Sequence, residues 1–261
     1  MTMSHAIEVQ GIGKRYGDGP LVLDGIDFHA KAGEFVSFVG PSGCGKSTLF
    51  NIITGLLAPS EGRVLVNGTD TTGNPNRSIG YVLQKDLLMP WRTIMQNVVL
   101  GLEVHGVPRR EARERASALF DMYHLSGRED SHPGQLSGGM RQRAALMRTM
   151  VTDPDIILMD EAYKALDYPL KIQLESELMD TVKAAGKTVV FVTHDIEEAV
   201  TLSDRVYVLK AHPGQVVQEI EIDLGTDSHA INERRLAPAF NDYYEAIWRS
   251  IGTGSRTERA A

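Results

Sequence analysis

The sequence of 261 residues has a single cysteine, Cys44. No intramolecular disulfide can form, and a reducing compartment is the natural setting. No run of about eighteen apolar residues occurs, so no segment reads as a membrane-spanning helix. The N-terminal MTMSHAIEVQ lacks a basic stretch followed by an apolar one, so no secretory signal is read there. Work at a membrane would therefore run through a partner. Basic excess is missing too. A net charge of −7 and a pI of about 5.6 leave no electrostatic footprint for nucleic acid. Arg109-Arg110 and Arg234-Arg235 read as solvated surface pairs. Internal repeats and low-complexity tracts are also missing, and 42% hydrophobic against 23% charged residues is the balance of an ordinary globular chain.

Against these absences one stretch stands out. Gly40-Pro41-Ser42-Gly43-Cys44-Gly45-Lys46-Ser47-Thr48 fits G-x-x-x-x-G-K-[ST]. EFVSFV before it reads as a buried strand, and STLFNIITGLL after it as a helix, Ser47 to Leu57, with an apolar face. The glycines allow a tight turn that brings backbone N–H groups close to phosphate, and the helix start adds free amides and a favourable dipole. Lys46 is expected to reach the β- and γ-phosphates, and the Ser47 hydroxyl to ligate Mg²⁺. Cys44 is given no catalytic role, although a thiol here could make the site sensitive to thiol reagents.

Four further runs read as buried parallel strands: Phe35–Val39, Ile79–Leu83, Ile156–Asp160 and Val189–Thr193, with Val206–Leu209 as a fifth. Helical patterns between them predict βαβ units. Ile7–Gln10, Leu21–Phe28 and Val64–Asn67 predict a small antiparallel sheet. Asp86 to Asp153 contains no strand pattern, and Arg109–His124 reads as a charged amphipathic helix. The fold class expected is α/β: a P-loop NTPase parallel-sheet core with an antiparallel β subdomain and a helical insertion. Phe240, Tyr244, Ile247, Trp248 and Ile251 fall at helical spacing and predict a C-terminal helix packed on the core.

IILMDE, Ile156 to Glu161, is an apolar strand ending in two carboxylates. Taken alone it could be a strand running into an acidic helix cap. After a P-loop it is the Walker B pattern, with Asp160 holding Mg²⁺ and Glu161 accepting a proton from the attacking water. LSGGM, Leu136 to Met140, precedes a helical pattern, with Ser137 as cap and Gly138-Gly139 leaving the first amides uncovered. Alone this is a capped helix start.

The order of these motifs from Ile7 to Leu209 resembles the ATP-binding-cassette (ABC) ATPases. The resemblance implies that Ser137, Gly138 and Gly139 of one copy face the γ-phosphate held by the P-loop of another. It implies that Tyr16 stacks on adenine, with packing in a β-hairpin as the alternative. Gln84 would sense Mg²⁺ and the attacking water, His194 would contact the γ-phosphate, and Asp167 would cross to the partner copy. Met140 stands where Gln is commoner. Ala162-Tyr163-Lys164 departs from the family's usual Pro-Phe-Gly or Pro-Thr-Ser, which removes a fixed φ beside Glu161.

QKDLLMPWRTIMQNVVLGLE, Gln84 to Glu103, mixes exposed-type apolar residues (Leu87, Leu88, Met89, Trp91) with a proline break. Its LMPWRT resembles the corresponding segment of nitrate/sulfonate/taurine-type importer ATPases. That implies docking of a membrane permease near 84–103, an indirect solute-binding protein, a homodimer with ATP and Mg²⁺, and a peripheral place on the cytoplasmic side of the cell membrane. A lipid-transport or export cassette, a soluble cassette ATPase and a P-loop kinase remain as alternatives. The expected organisation is one ATPase domain over 5–245, with the nucleotide-binding core at 5–85 and 154–215 and the helical part at 86–153. A C-terminal extension over 216–251 and a disordered tail over 252–261 follow.

Overall fold

The computed structural model of the protein describes residues 5–163, 168–226 and 228–256. In chain order the elements are β1 (His5–Arg15), β2 (Leu21–Lys31), β3 (Phe35–Val39), α1 (Lys46–Ile53), β4 (Glu61–Val66), β5 (Thr69–Asp70) and β6 (Ile79–Val82). Four helices follow: α2 (Ile94–Val98), α3 (Leu100–Val104), α4 (Arg109–Met122) and α5 (Gly138–Met150). The chain continues through β7 (Ile156–Asp160), α6 (Tyr168–Ala185), β8 (Thr188–Thr193), α7 (Ile196–Leu202), β9 (Arg205–Lys210), β10 (Gln215–Glu221), α8 (Ile231–Arg235) and α9 (Phe240–Arg256). It divides into two compact units, Met1–Arg77 with Glu175–Ala261 and Ser78–Leu174.

The first unit carries two layers of strands. An antiparallel sheet runs β2-β1-β4-β5. A second group has β3 paired in parallel with β8 on one side and with β9 on the other, and β10 antiparallel to β9. Every residue of β3 and β8 is buried, which explains their unbroken apolar runs: a parallel strand covered on both faces has no polar face to show. Phe28, Phe38 and Tyr207 form an aromatic cluster, with Phe38 stacked on Tyr207 at 5.3 Å between ring centroids. α7 and α9 close the opposite side, where Ile196, Val200, Val206, Leu224, Phe240 and Ile247 pack together.

Several elements differ from the sequence expectation, some of them for clear local reasons. α1 stops at Ile53 rather than Leu57, because Gly55 adopts φ +75° and ends the helix. β10 was not anticipated: QVVQEIE alternates intermediate and exposed positions along most of its length, the mark of an edge strand with little apolar signal. α9 runs to Arg256, past the expected end at Ile251 and into the stretch expected to be disordered. Its aromatic stripe divides. Phe240 and Ile247 are buried, whereas Trp248 is exposed and stacks on Tyr244, so the expectation of core packing fails for Trp248.

The second unit pairs β6 with β7 in parallel, packs α5 against β6, and gathers α2, α3 and α4 on α5. β7 is buried throughout. Thr93 and Gln96 form a reciprocal capping box that starts α2. Ala162 and Tyr163 are both buried, so the departure from the family pattern there is a packing substitution rather than a surface one. Lys164 and Asp167 lie outside the described residues.

Candidate functional site

In the first unit, Val39 pairs with Thr193 on one side and Val208 on the other. The P-loop and His194 therefore leave adjacent strands at the same carboxyl edge, where open α/β sheets bind ligands. Between β3 and α1 the loop is held close to its neighbours. A Cβ at Gly40 would lie 2.7 Å from the Leu209 carbonyl oxygen and 3.0 Å from Cys44 Sγ. Gly45 is the N-cap of α1 at φ +92°, with no side chain to cap the first-turn amides. Those amides are the orphan donors of any helix start, and here they follow a Gly-rich turn with nothing of the cap in front of them. That is the donor set an anion requires.

Lys46 Nζ donates to the carbonyls of Gly40 at 2.7 Å and Pro41 at 3.1 Å, so its ammonium sits at the loop rather than in solvent. Cys44 is fully buried, with Sγ 3.6 Å from Lys46 Nζ. Burial pushes its thiol pKa up and the nearby Lys46 charge only partly opposes this, so the group stays a thiol and a poor nucleophile. The expected sensitivity to thiol reagents is countered by that burial.

Tyr16 lies on the turn between β1 and β2, is 51% exposed, and has its hydroxyl 3.5 Å from Thr48 Oγ1. Lys14 Nζ is 5.2 Å from its ring centroid. The ring is thus exposed beside the P-loop and also packed against Lys14 of its own hairpin. His194 is exposed at the end of β8. Asp195 fixes the turn after it by accepting from the amides of Glu197 and Glu198, and the Asp195 amide donates to Thr193 Oγ1 at 3.0 Å.

In the second unit the pairing of Val82 with Met159 sets Gln84 and Glu161 at equivalent places beyond β6 and β7. Gln84 Nε2 donates to Glu161 Oε2 at 2.8 Å. Asp160 is buried; burial of Tyr81, and secondarily the Asp160 charge, raises the Tyr81 pKa. Glu161 has φ +46°, an uncommon conformation for a non-glycine residue. Ser137 caps α5 by accepting from the Met140 amide at 3.3 Å, and Ser137 and Gly138 are exposed.

Sequence reasoning missed the braces around these residues. Asn97, fully buried, accepts from the Met89 amide and donates to the carbonyls of Met89, Arg92 and Thr93. Arg148 donates to the carbonyls of Asp86 and Leu87, both at 2.8 Å. Arg141 Nε pairs with Asp86 Oδ2 at 3.0 Å. The segment after Gln84 is thus pinned, with Leu87 57% and Trp91 73% exposed while Leu88 turns inward, against its exposed-type reading.

A glycine-rich loop between a buried parallel strand and an uncapped helix start, with a lysine folded over it, defines a P-loop nucleotide-binding protein. The profile of the ABC transporter family matches residues 23–164. The chain belongs to that family and is an ATPase. It is 41% identical over 234 residues to an uncharacterized ABC transporter ATP-binding protein, YtlC, of Bacillus subtilis, spanning 90% of each chain. It is 38% identical over 251 residues to the nitrate import ATP-binding protein NrtD of Synechocystis, spanning 95% of this chain and 93% of that one. The solved dimeric ATP-binding cassette MJ0796, bound to ADP and Pi, superposes with a TM-score of 0.75 at 35% identity, covering 83% of this chain and 99% of that one.

Proposed function

We propose that this chain is the ATP-hydrolysing subunit of an importer, and that it energises uptake of a small anionic solute through a separate membrane permease. The observation that carries the reading is the exposed pair Leu87 and Trp91 on a pinned segment that begins at Gln84, the residue bonded to Glu161. Two large apolar side chains exposed on one short, backbone-pinned segment offer a surface for a protein partner to cover, and this one is linked to a carboxylate of the reaction. The names of relatives such as the nitrate import protein of Synechocystis support import over export.

ATP is the substrate. The P-loop amides from Gly40 to Thr48 and the Lys46 ammonium hold its phosphates, and Tyr16 stacks on the base. Water attacks the γ-phosphorus in line, the bond to the β-phosphate oxygen breaks, and ADP and phosphate leave. Glu161 accepts the proton from the water, and His194 holds the water and the γ-phosphate in place. Ser137, Gly138 and Gly139 of a second copy supply amides to the same phosphate, which makes ATP the link between two chains. By donor chemistry, Ser47, Asp160 and Gln84 are the residues that would hold a magnesium ion: a hydroxyl, a buried carboxylate, and an amide whose nitrogen bonds Glu161 and whose oxygen is an acceptor. When bound, that ion supplies charge neutralisation at the phosphate oxygens.

No helix among the described residues is long and apolar enough to cross a membrane. On the importer reading, the permease and an external solute-binding protein are separate chains, and this chain sits peripherally on the cytoplasmic side. The test is to tag the chain in its host, solubilise membranes in mild detergent and identify what copurifies. A multi-span permease should be recovered, and Trp91→Glu with Leu87→Glu should release it. Recovery of soluble partners alone would overturn the importer reading in favour of a soluble cassette ATPase.

A further inference from the structure

The N-terminal part of α5 does more than present the LSGGM amides. Its two consecutive residues Arg141 and Gln142 reach the two segments that carry Gln84 and Glu161. Gln142 is almost fully buried, and its Nε2 donates to the Ala162 carbonyl at 2.8 Å. Ala162 itself is fully buried and directly follows Glu161, whose backbone is held at φ +46°. Arg141 pairs with Asp86, two residues beyond Gln84, and Gln84 bonds the Glu161 carboxylate. The peptide that follows Glu161 and the segment that carries its side-chain partner Gln84 are therefore both tied to neighbouring residues of one helix.

A buried glutamine that satisfies a carbonyl is ordinary packing. What sets this one apart is the carbonyl it chose. A residue in the left-handed region persists only where its surroundings over-determine it, and Ala162 lacks the ring that would fix φ there. On the reading of Glu161 as general base, we propose that Gln142, assisted by Arg141 through Asp86 and Gln84, is the positioning residue for Glu161. It couples the helix that begins with LSGGM to the base in the same chain. A small displacement of the α5 start is then felt at the water-activating carboxylate, because the donor and the displaced turn are one rigid piece.

The experiment is a double-mutant cycle on the full chain, reading kcat and KM for ATP. Gln142→Met keeps the length and the apolar contacts but removes the donor. It should lower kcat about tenfold or more and leave KM for ATP near the parent value, because only the transition-state geometry is lost. In a Glu161→Gln background, which has already lost the base, the same change should lower kcat no further. Asp86→Asn, read in the same cycle, gives a second exposed-side variant should Gln142→Met fold poorly; it should slow turnover only while Glu161 is present. Equal fractional losses in both backgrounds, or an unchanged kcat for both variants, would overturn the inference while leaving Glu161 as base. Parental turnover in Glu161→Gln alone would overturn the reading of the base, and the inference with it.

Discussion

Gly45→Ala tests how tightly the P-loop is fitted to its surroundings. Gly45 has φ +92°, and an alanine Cβ there would lie 2.5 Å from Leu23 Cδ2, 3.3 Å from Leu23 Cγ and 3.4 Å from the Val22 carbonyl oxygen. Holding an L-residue in the left-handed region costs roughly 1–2 kcal/mol. The clash adds a second cost. Leu23 is fully buried in β2, so it cannot swing into solvent to make room. Forcing one extra carbon into a filled core costs about 1–3 kcal/mol. Gly43 separates the two contributions. Its φ is +82°, but a Cβ there meets nothing within 4 Å, so Gly43→Ala should carry the backbone cost alone. Urea unfolding of both variants should show Gly45→Ala less stable than Gly43→Ala by about 1–3 kcal/mol, the overpacking share. ATP binding should be weakened in Gly45→Ala, since the displaced residue is the cap of α1. Equal losses of stability in the two variants would refute the argument that the loop is wedged against β2.

Glu161→Gln keeps an acceptor for the Gln84 amide but removes the base, so turnover should fall by roughly 10² to 10⁴ while ATP binding persists; phosphate release and nucleotide binding, measured side by side, check both halves. Lys46→Ala should do the reverse and weaken ATP affinity, which a titration with a fluorescent ATP analogue reads directly. His29 carries a pH prediction. Burial lowers its pKa below the usual histidine value, helped by the nearby Arg205 and His5 charges and opposed by Glu219 and Glu34. The unfolded chain therefore binds this proton more readily, and stability should be fully present above the unfolded pKa of about 6.5 and fall as pH drops through it. His29→Gln should flatten the unfolding curve between about pH 7 and 5; an unchanged slope would show that other groups set it.

Much of the site could be read from the chain because its chemistry is local. The P-loop spacing, the apolar β7 ending at Asp160 and the Ser137 cap each lie within a few residues, and their strand–loop–helix context was visible as apolar runs. What could not be read depends on register. The Gln84–Glu161 bond joins residues 77 apart and follows only once Val82 is known to face Met159. Gln142 and Asn97 look in sequence like polar positions on amphipathic helices, and only burial shows that they tie down loops. β10 escaped because an edge strand with alternating polar residues carries little hydrophobic signal. Leu88 and Trp91 illustrate the reverse limit: both are large and apolar within one short segment, yet one faces in and the other out, and no periodicity in a non-helical loop decides which.

On the proposed reading, ATP binds at the P-loop of one copy and is clamped by the LSGGM amides of another. The most direct measurement is the solution mass of the Glu161→Gln chain with and without ATP and magnesium. The parent chain mass is 28.7 kDa. Saturating ATP should shift the variant to twice the single-chain mass, and Lys46→Ala added to it should abolish the shift. A variant that binds ATP to saturation and still runs as one chain would contradict the account.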